Sequence, residues 1–194
     1  MSASSAPSTR RTLLSAALDE LADHGHAGVG LRAVARRAGV SHAAPAHFFG
    51  DRAGLLTAVA VEGFTDLTAA LVAVDAKDPA EKVAALGRTY VAFGSRYPAL
   101  MELMFRSTEL HPDDPDLRAS RQSAIGILAT AVAQTGAEDV REVTLISWAL
   151  VHGLVVLSRE GVIAPLIGPN ADDLTVASSL VDRYVTGLLA SSVD

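Results

Sequence analysis

The stretch GVSHAAPAHFFGDRAGLL, Gly39 to Leu56, departs from its surroundings. On either side, apolar residues recur at helical spacing. Here small residues, His42 and His47, Pro45 and the pair Phe48 and Phe49 are crowded together. Gly39 ends the preceding helix. Ser41 is a good N-cap for the next one, which would put Pro45 at about the fourth helical position, the limit a helix start tolerates. With His42 as the cap, Pro45 moves one position earlier and no backbone bond is lost. Asp51 reads as the cap of a further helix.

Upstream, LRAVARRA (Leu31 to Ala38) places Leu31, Val34, Ala35 and Ala38 on one face. Before it, Thr9 to His24 carries Leu14, Ala17, Leu18 and Leu21 at helical spacing, with Thr9 as candidate cap and Gly25 and Gly28 as breakers. A short helix, a turn containing glycine and a second short helix outline a helix-turn-helix. Downstream, a long helix from Asp51 to Val74 has apolar groups on both sides and suits a joint between two domains. DAKDPA breaks it. Pro79 and Pro98 open further helices, and HPDDPD is a loop. Leu117 to Gln134, Arg141 to Arg159 and Asp172 to Leu189 are helical, the last through Leu174, Ala177, Val181, Tyr184 and Leu188, with PLIGPNADD the last loop. No strand is signalled. The expectation is an all-α chain of about nine helices.

Composition narrows the function. In 194 residues, 49% of them hydrophobic, a sizeable core can form. The absence of cysteine excludes disulfides and thiolate metal sites, and fits a reducing compartment. MSASSAPST has no apolar run of signal length and reads as a disordered leader. The longest nearly uncharged run, Val143 to Ser158, is short for a bilayer and contains His152, so it reads as a buried helix; a cytoplasmic protein without a membrane partner is expected. Net charge is −6, yet residues 1–52 hold six arginines against four acids, and four of the six histidines. That asymmetry fits a small DNA-facing module on an acidic body. The chain has no H-E-x-x-H, G-x-S-x-G, P-loop or paired Glu/His pattern, and HGHAGVG lacks a dinucleotide-loop register. No catalytic residue, cofactor or metal site is therefore expected.

Residues 12–59 as a whole resemble the TetR family of bacterial transcriptional regulators: an opening helix ending in HG, then LRxVAxxAGVS, a short helix ending in an aromatic, and a basic residue before the paired leucines. SWALVHGL, with Trp148, His152 and Gly153, resembles the signature of the WHG-type regulatory domain found in one TetR subfamily; SHAAP and YVAFGSRYPALMELMF fit it too. The resemblance implies an N-terminal three-helix DNA-binding domain over residues 7–55 and a C-terminal helical ligand-binding and dimerisation domain over residues 56–194. The sequence departs from the family pattern at Ala46, where many members have a tyrosine against the DNA backbone, at Phe48, where histidine is usual, and at Gly30, where the cap is often Ser or Thr.

In a helix-turn-helix the second helix enters the major groove. Ala43 and Ala44 let its backbone approach, and their methyls can meet a thymine methyl. His42 and His47 can donate to phosphate or base acceptors, or stand as ordinary surface histidines. Ser41 can cap the helix or bond a phosphate. Arg32 and Arg52 match family positions that reach DNA, Arg52 as a phosphate contact; Phe48 completes the expected DNA-facing set. A homodimer on a palindromic operator follows from reading two half-sites, and the resemblance places its four-helix interface in the last two long helices. It also implies a small-molecule effector. Phe93, Tyr97, Met101, Met104 and Phe105 offer a mostly apolar lining, or else plain core. Trp148 and His152, four apart, share a helix face as a packed pair or a ligand contact. The rival function is a helical ligand-binding or scaffold protein without specific DNA affinity.

Overall fold

The computed structural model describes residues 8–168 and 172–190, without the side chains of 164 and 188–190. Residues 1–7 of the expected leader, and the side chain of Leu188, lie outside that range. Among the described residues every regular element is a helix: α1 (Thr9–Gly28), α2 (Leu31–Ala38), α3 (Ala44–Phe49), α4 (Arg52–Val72), α5 (Pro79–Arg96), α6 (Pro98–Met104), a 3₁₀ turn (Ser107–Glu109), α7 (Pro115–Gln134), α8 (Val140–Arg159), α9 (Ile163–Ile167) and α10 (Asp173–Ala190). The helix beyond the expected nine is α9, whose last three residues open the segment read as the last loop. The chain forms two compact units. One comprises residues 1–64 with 99–119, and the other 65–98 with 120–194.

In the first unit, Leu13, Ala17 and Leu21 of α1 pack with Val34 and Ala35 of α2, all nearly inaccessible. Ser8, not Thr9, caps α1 by accepting from the Arg11 N–H, because its side chain lies one residue outside the first turn. Gly25 breaks α1 with a positive φ of 66°, and the chain then winds one more turn to Gly28. The end of α2 is a Schellman motif: Gly39 is left-handed, its N–H meets the Arg36 carbonyl, and the Val40 N–H reaches back to Ala35.

The start of α3 differs from both sequence readings. Its cap is Ala43, and Pro45 is the second helical residue. With Ser41 as cap, the residue at 45 would have to donate to the Ser41 carbonyl, and proline has no N–H. That carbonyl instead takes the Ala44 N–H in a tight turn, and the first full α-helical bond runs from His47 to Ala43. Asp51 does cap α4, accepting from the Gly54 N–H at 2.7 Å. From the far segment, α6 packs on α4 so closely that a Cβ at Gly63 would lie 2.8 Å from the Met104 sulfur. Phe105 meets Phe64 edge to face.

In the second unit, α5 lies against α8 and α10. Asp78 caps α5 and Pro79 opens it. Gly87 meets Val151 and Val181, and Gly94 meets Val155. Arg88 bridges Glu81 and Asp182. Both α4 and α8 are long and apolar enough to cross a bilayer by length and composition. α8 has 20 residues because it extends beyond the apolar run at both ends, so shortness does not set it apart from a bilayer span. Its Val151 and Val155 are spent on α5.

Candidate nucleic-acid interface

The Schellman turn and the buried Pro45 together fix the direction in which α3 leaves α2. They leave Ser41, His42, Ala43, Ala46, His47 and Phe48 exposed, with Ala44 half-buried. The residues at the start of the helix are small, and His47 follows on the outward side. The His47 ring stands edge-on to Phe48 at 5.1 Å, and the Phe48 ring is 40% exposed. Phe49 turns inward, under the guanidinium of Arg10 at 5.5 Å. Arg32 and Arg36 are exposed on α2. Arg37 is not simply a solvated charge: its Nε donates to Glu20 at 2.7 Å and its Nη2 to Asp23 at 2.6 Å, bracing α2 on α1. Glu20 is a nearly buried carboxylate that also faces His24.

Arg52, expected at a phosphate, has each guanidinium nitrogen on a protein oxygen. Nε donates to the Val29 carbonyl at 2.9 Å, Nη2 to the His26 carbonyl at 2.7 Å and Nη1 to Glu109 at 2.6 Å. Glu109 and His111 were not singled out in the sequence, and nothing local marks them; they stand 57 and 60 residues from Arg52 and Asp51, the groups they meet.

The expected effector residues divide between the units. Met101 and Met104 are core residues of the first, and Phe105 packs there on Phe64. Phe93 and Tyr97 belong to the second, with rings 5.1 Å apart. Phe93 is buried, and Tyr97 is 41% exposed beneath the Arg96 guanidinium. Trp148 and His152 meet around Tyr90, a residue that its helical period does not distinguish from ordinary core. The Trp148 indole N–H can only donate, so the Tyr90 oxygen accepts it, at 3.4 Å. The phenol hydrogen is then available to the His152 Nδ1, at 3.0 Å. Burial raises the pKa of the phenol. Burial, and then the charge of Arg159, holds His152 below its ordinary value. Among the described residues no three His, Asp or Glu side chains gather as a metal site.

Two family models match the chain. Bacterial regulatory proteins of the tetR family cover residues 13–59. The tetracyclin repressor-like C-terminal domain covers residues 83–183, more than half of the chain. No curated protein matches. Among solved structures, a protein of unknown function from Rhodococcus sp. RHA1 is 29% identical with a TM-score of 0.82, over 96% of this chain and 98% of that one. A transcriptional regulator from the same organism shares the fold at 22% identity and a TM-score of 0.70, over 93% and 97%. So does FadR from Bacillus subtilis, solved in complex with stearoyl-CoA, at 15% identity and a TM-score of 0.69, over 92% and 98%. With the helix-turn-helix at residues 31–49 and family models matching both ends, the chain belongs to the TetR family and is a DNA-binding transcriptional regulator.

Proposed function

We propose that this regulator is a cytoplasmic repressor that binds a palindromic operator as a homodimer and is released by a small, mostly apolar effector. The observation that carries the DNA reading is the exposed start of α3, where Ser41, His42, Ala43 and His47 face outward from a rigidly held turn. Ala44 and Phe48 belong to the same proposed contact, and Arg32 flanks it from α2. On this reading residues 7–55 form the DNA-binding domain and residues 56–194 the regulatory and dimerisation domain.

Dimerisation rests on apolar surface that the single chain leaves open. Leu145, Ile146 and Leu157 of α8 and Leu174 and Leu180 of α10 are all more than a third exposed. Two such helices from each copy make a four-helix interface, and two copies present two recognition helices to successive major grooves.

For the effector, Phe93, Tyr97, Trp148 and His152 of the second unit are the proposed contacts. Broad aromatic surface with few polar groups suits an apolar ligand. A long acyl chain is one such ligand, and FadR of Bacillus subtilis holds stearoyl-CoA. Release is a population shift: the ligand binds more tightly to a dimer whose recognition helices no longer match adjacent grooves, since equal affinity for both forms shifts nothing.

The test is selection of duplexes from a random pool by the full-length protein. A palindromic site, bound with an affinity that falls steeply with salt, is the expected result. Recovery of no preferred sequence supports the rival reading, a helical ligand-binding or scaffold protein. Acyl-CoAs and other apolar metabolites are then screened for thermal stabilisation and operator release. Stabilisation without release would sink the effector mechanism alone.

A further inference from the structure

Arg52 stands at both ends of the helix-turn-helix. It is the first residue of α4, directly after the Gly50–Asp51 exit from α3. Its guanidinium holds the His26 and Val29 carbonyls, immediately before the entry to α2 at Gly30. A cation also suits the negative end of α1. Three nitrogens bound to three separate oxygens fix the plane of the guanidinium, which a point charge would not do.

The third oxygen comes from far along the chain. Glu109 closes the 3₁₀ turn that follows α6, and its carboxyl is held below the ordinary range, first by the Arg52 hydrogen bond. The same segment grips α4 twice more. The His111 N–H donates to the Thr57 hydroxyl at 2.9 Å, and the His111 ring lies 3.3 Å from Asp51. The geometry points to Arg52 and Glu109 as positioning residues for DNA binding: Glu109 orients Arg52, and Arg52 ties the entry of the helix-turn-helix to its exit, so that the 99–119 segment sets the angle at which α3 meets DNA. This rests on the reading of the chain as an operator-binding repressor.

Charge gives the test opposite signs. Glu109 is an acid beside the DNA-binding helices. Electrostatics alone says that removing it strengthens binding to a polyanion, whereas loss of the tie weakens specific binding. The probes are the operator recovered from the random pool and an unrelated duplex of equal length. Operator affinity, affinity for the unrelated duplex and the salt slope are measured for the parent, Glu109→Ala, Glu109→Gln, Arg52→Lys and Arg52→Ala.

Glu109→Ala weakens operator binding about tenfold, the scale of a hydrogen bond to a charged group. It leaves the unrelated duplex and the salt slope unchanged. Glu109→Gln, which keeps an acceptor oxygen, loses less. Arg52→Lys keeps the charge but not the fork, and it loses operator binding as Glu109→Ala does. The double variant Arg52→Lys/Glu109→Ala loses no more than the worse single one, because the two act as one unit. Should Arg52→Ala fail to fold, Glu109→Ala and Arg52→Lys decide alone. The proposal is overturned if Glu109→Ala binds operator as well as or better than the parent, or if Arg52→Lys matches the parent. It is also overturned if Arg52→Ala lowers the salt slope by about one and weakens both duplexes equally, the signature of a lost phosphate contact. A parent that selects no duplex overturns the repressor reading instead, and is told apart by failing before any variant is compared.

Discussion

His47 and His152 are the two histidines whose surroundings say most. His47 is exposed on the outer side of α3 with Phe48 against its edge, and it belongs to the proposed DNA contact. His47→Ala is expected to change the preferred base at one operator position, at a cost of about 1–3 kcal/mol there, while affinity for unrelated DNA stays constant. A repeated selection that returns the parent site would remove His47 from the interface. His152 is held neutral by burial and by Arg159. The unfolded chain therefore takes up a proton more readily than the folded one. The stability it contributes is complete above the ordinary 6.5 and is lost as pH falls toward the lower folded value. Melting temperature should fall as pH is lowered through about 6.5, and less steeply for His152→Gln. Equal slopes for parent and variant would show that the imidazole does not govern this pH range. The sequence made the four-residue spacing of Trp148 and His152 plain, but not the phenol between them. Tyr90 lies 58 residues before Trp148, and such a meeting is written in the packing of α5 on α8 rather than in either helix.

α5 carries two glycines where helices usually prefer alanine. A Cβ at Gly94 would stand 2.5 Å and 2.8 Å from the two methyls of Val155, and one at Gly87 would stand 2.7 Å from Val181. Gly→Ala in an open helix gains up to about 1 kcal/mol. Here crowding reverses the sign, and each alanine should cost about 1–3 kcal/mol, Gly94→Ala the more because a rotation of Val155 relieves only one methyl. Gly126 of α7 has open space around it, so Gly126→Ala is the control and should raise the melting temperature. If all three substitutions raised it, the close approach of α5 to its neighbours would be wrong. At this scale the sequence was most legible where a helix carries its own period and punctuation. Val34, Ala35 and Gly39 announce α2, Pro79 announces α5, and Asp51 announces α4. It misled at α3, where the local preference of Ser41 for a cap lost to the missing N–H of Pro45. It misled also at α9, whose five residues are too few to show a period and whose last three were read as loop.

Across the whole molecule, association is the property most open to measurement. Ile146 is 42% exposed in the middle of an apolar helix, and Ile146→Glu places a charge on the proposed four-helix interface. The expected outcome is a monomeric mass in solution, unchanged helical content and loss of operator binding. A dimeric Ile146→Glu variant would move the interface elsewhere. The discontinuous first unit has a different consequence. Leu55, Leu56, Val59 and Phe64 are covered in a unit that includes Leu100, Leu103, Met104 and Leu117, all buried. A ribosome delivers the N-terminus first, yet the first unit lacks part of its core until residue 119 has been made. Nascent helices α1–α4 therefore wait through the synthesis of α5 with apolar faces uncovered, a natural client for a holdase. For the same reason a chimaera joined near residue 59 inherits an unfinished first unit, and a stable exchange between relatives is expected to need 99–119 to travel with the residues up to 64.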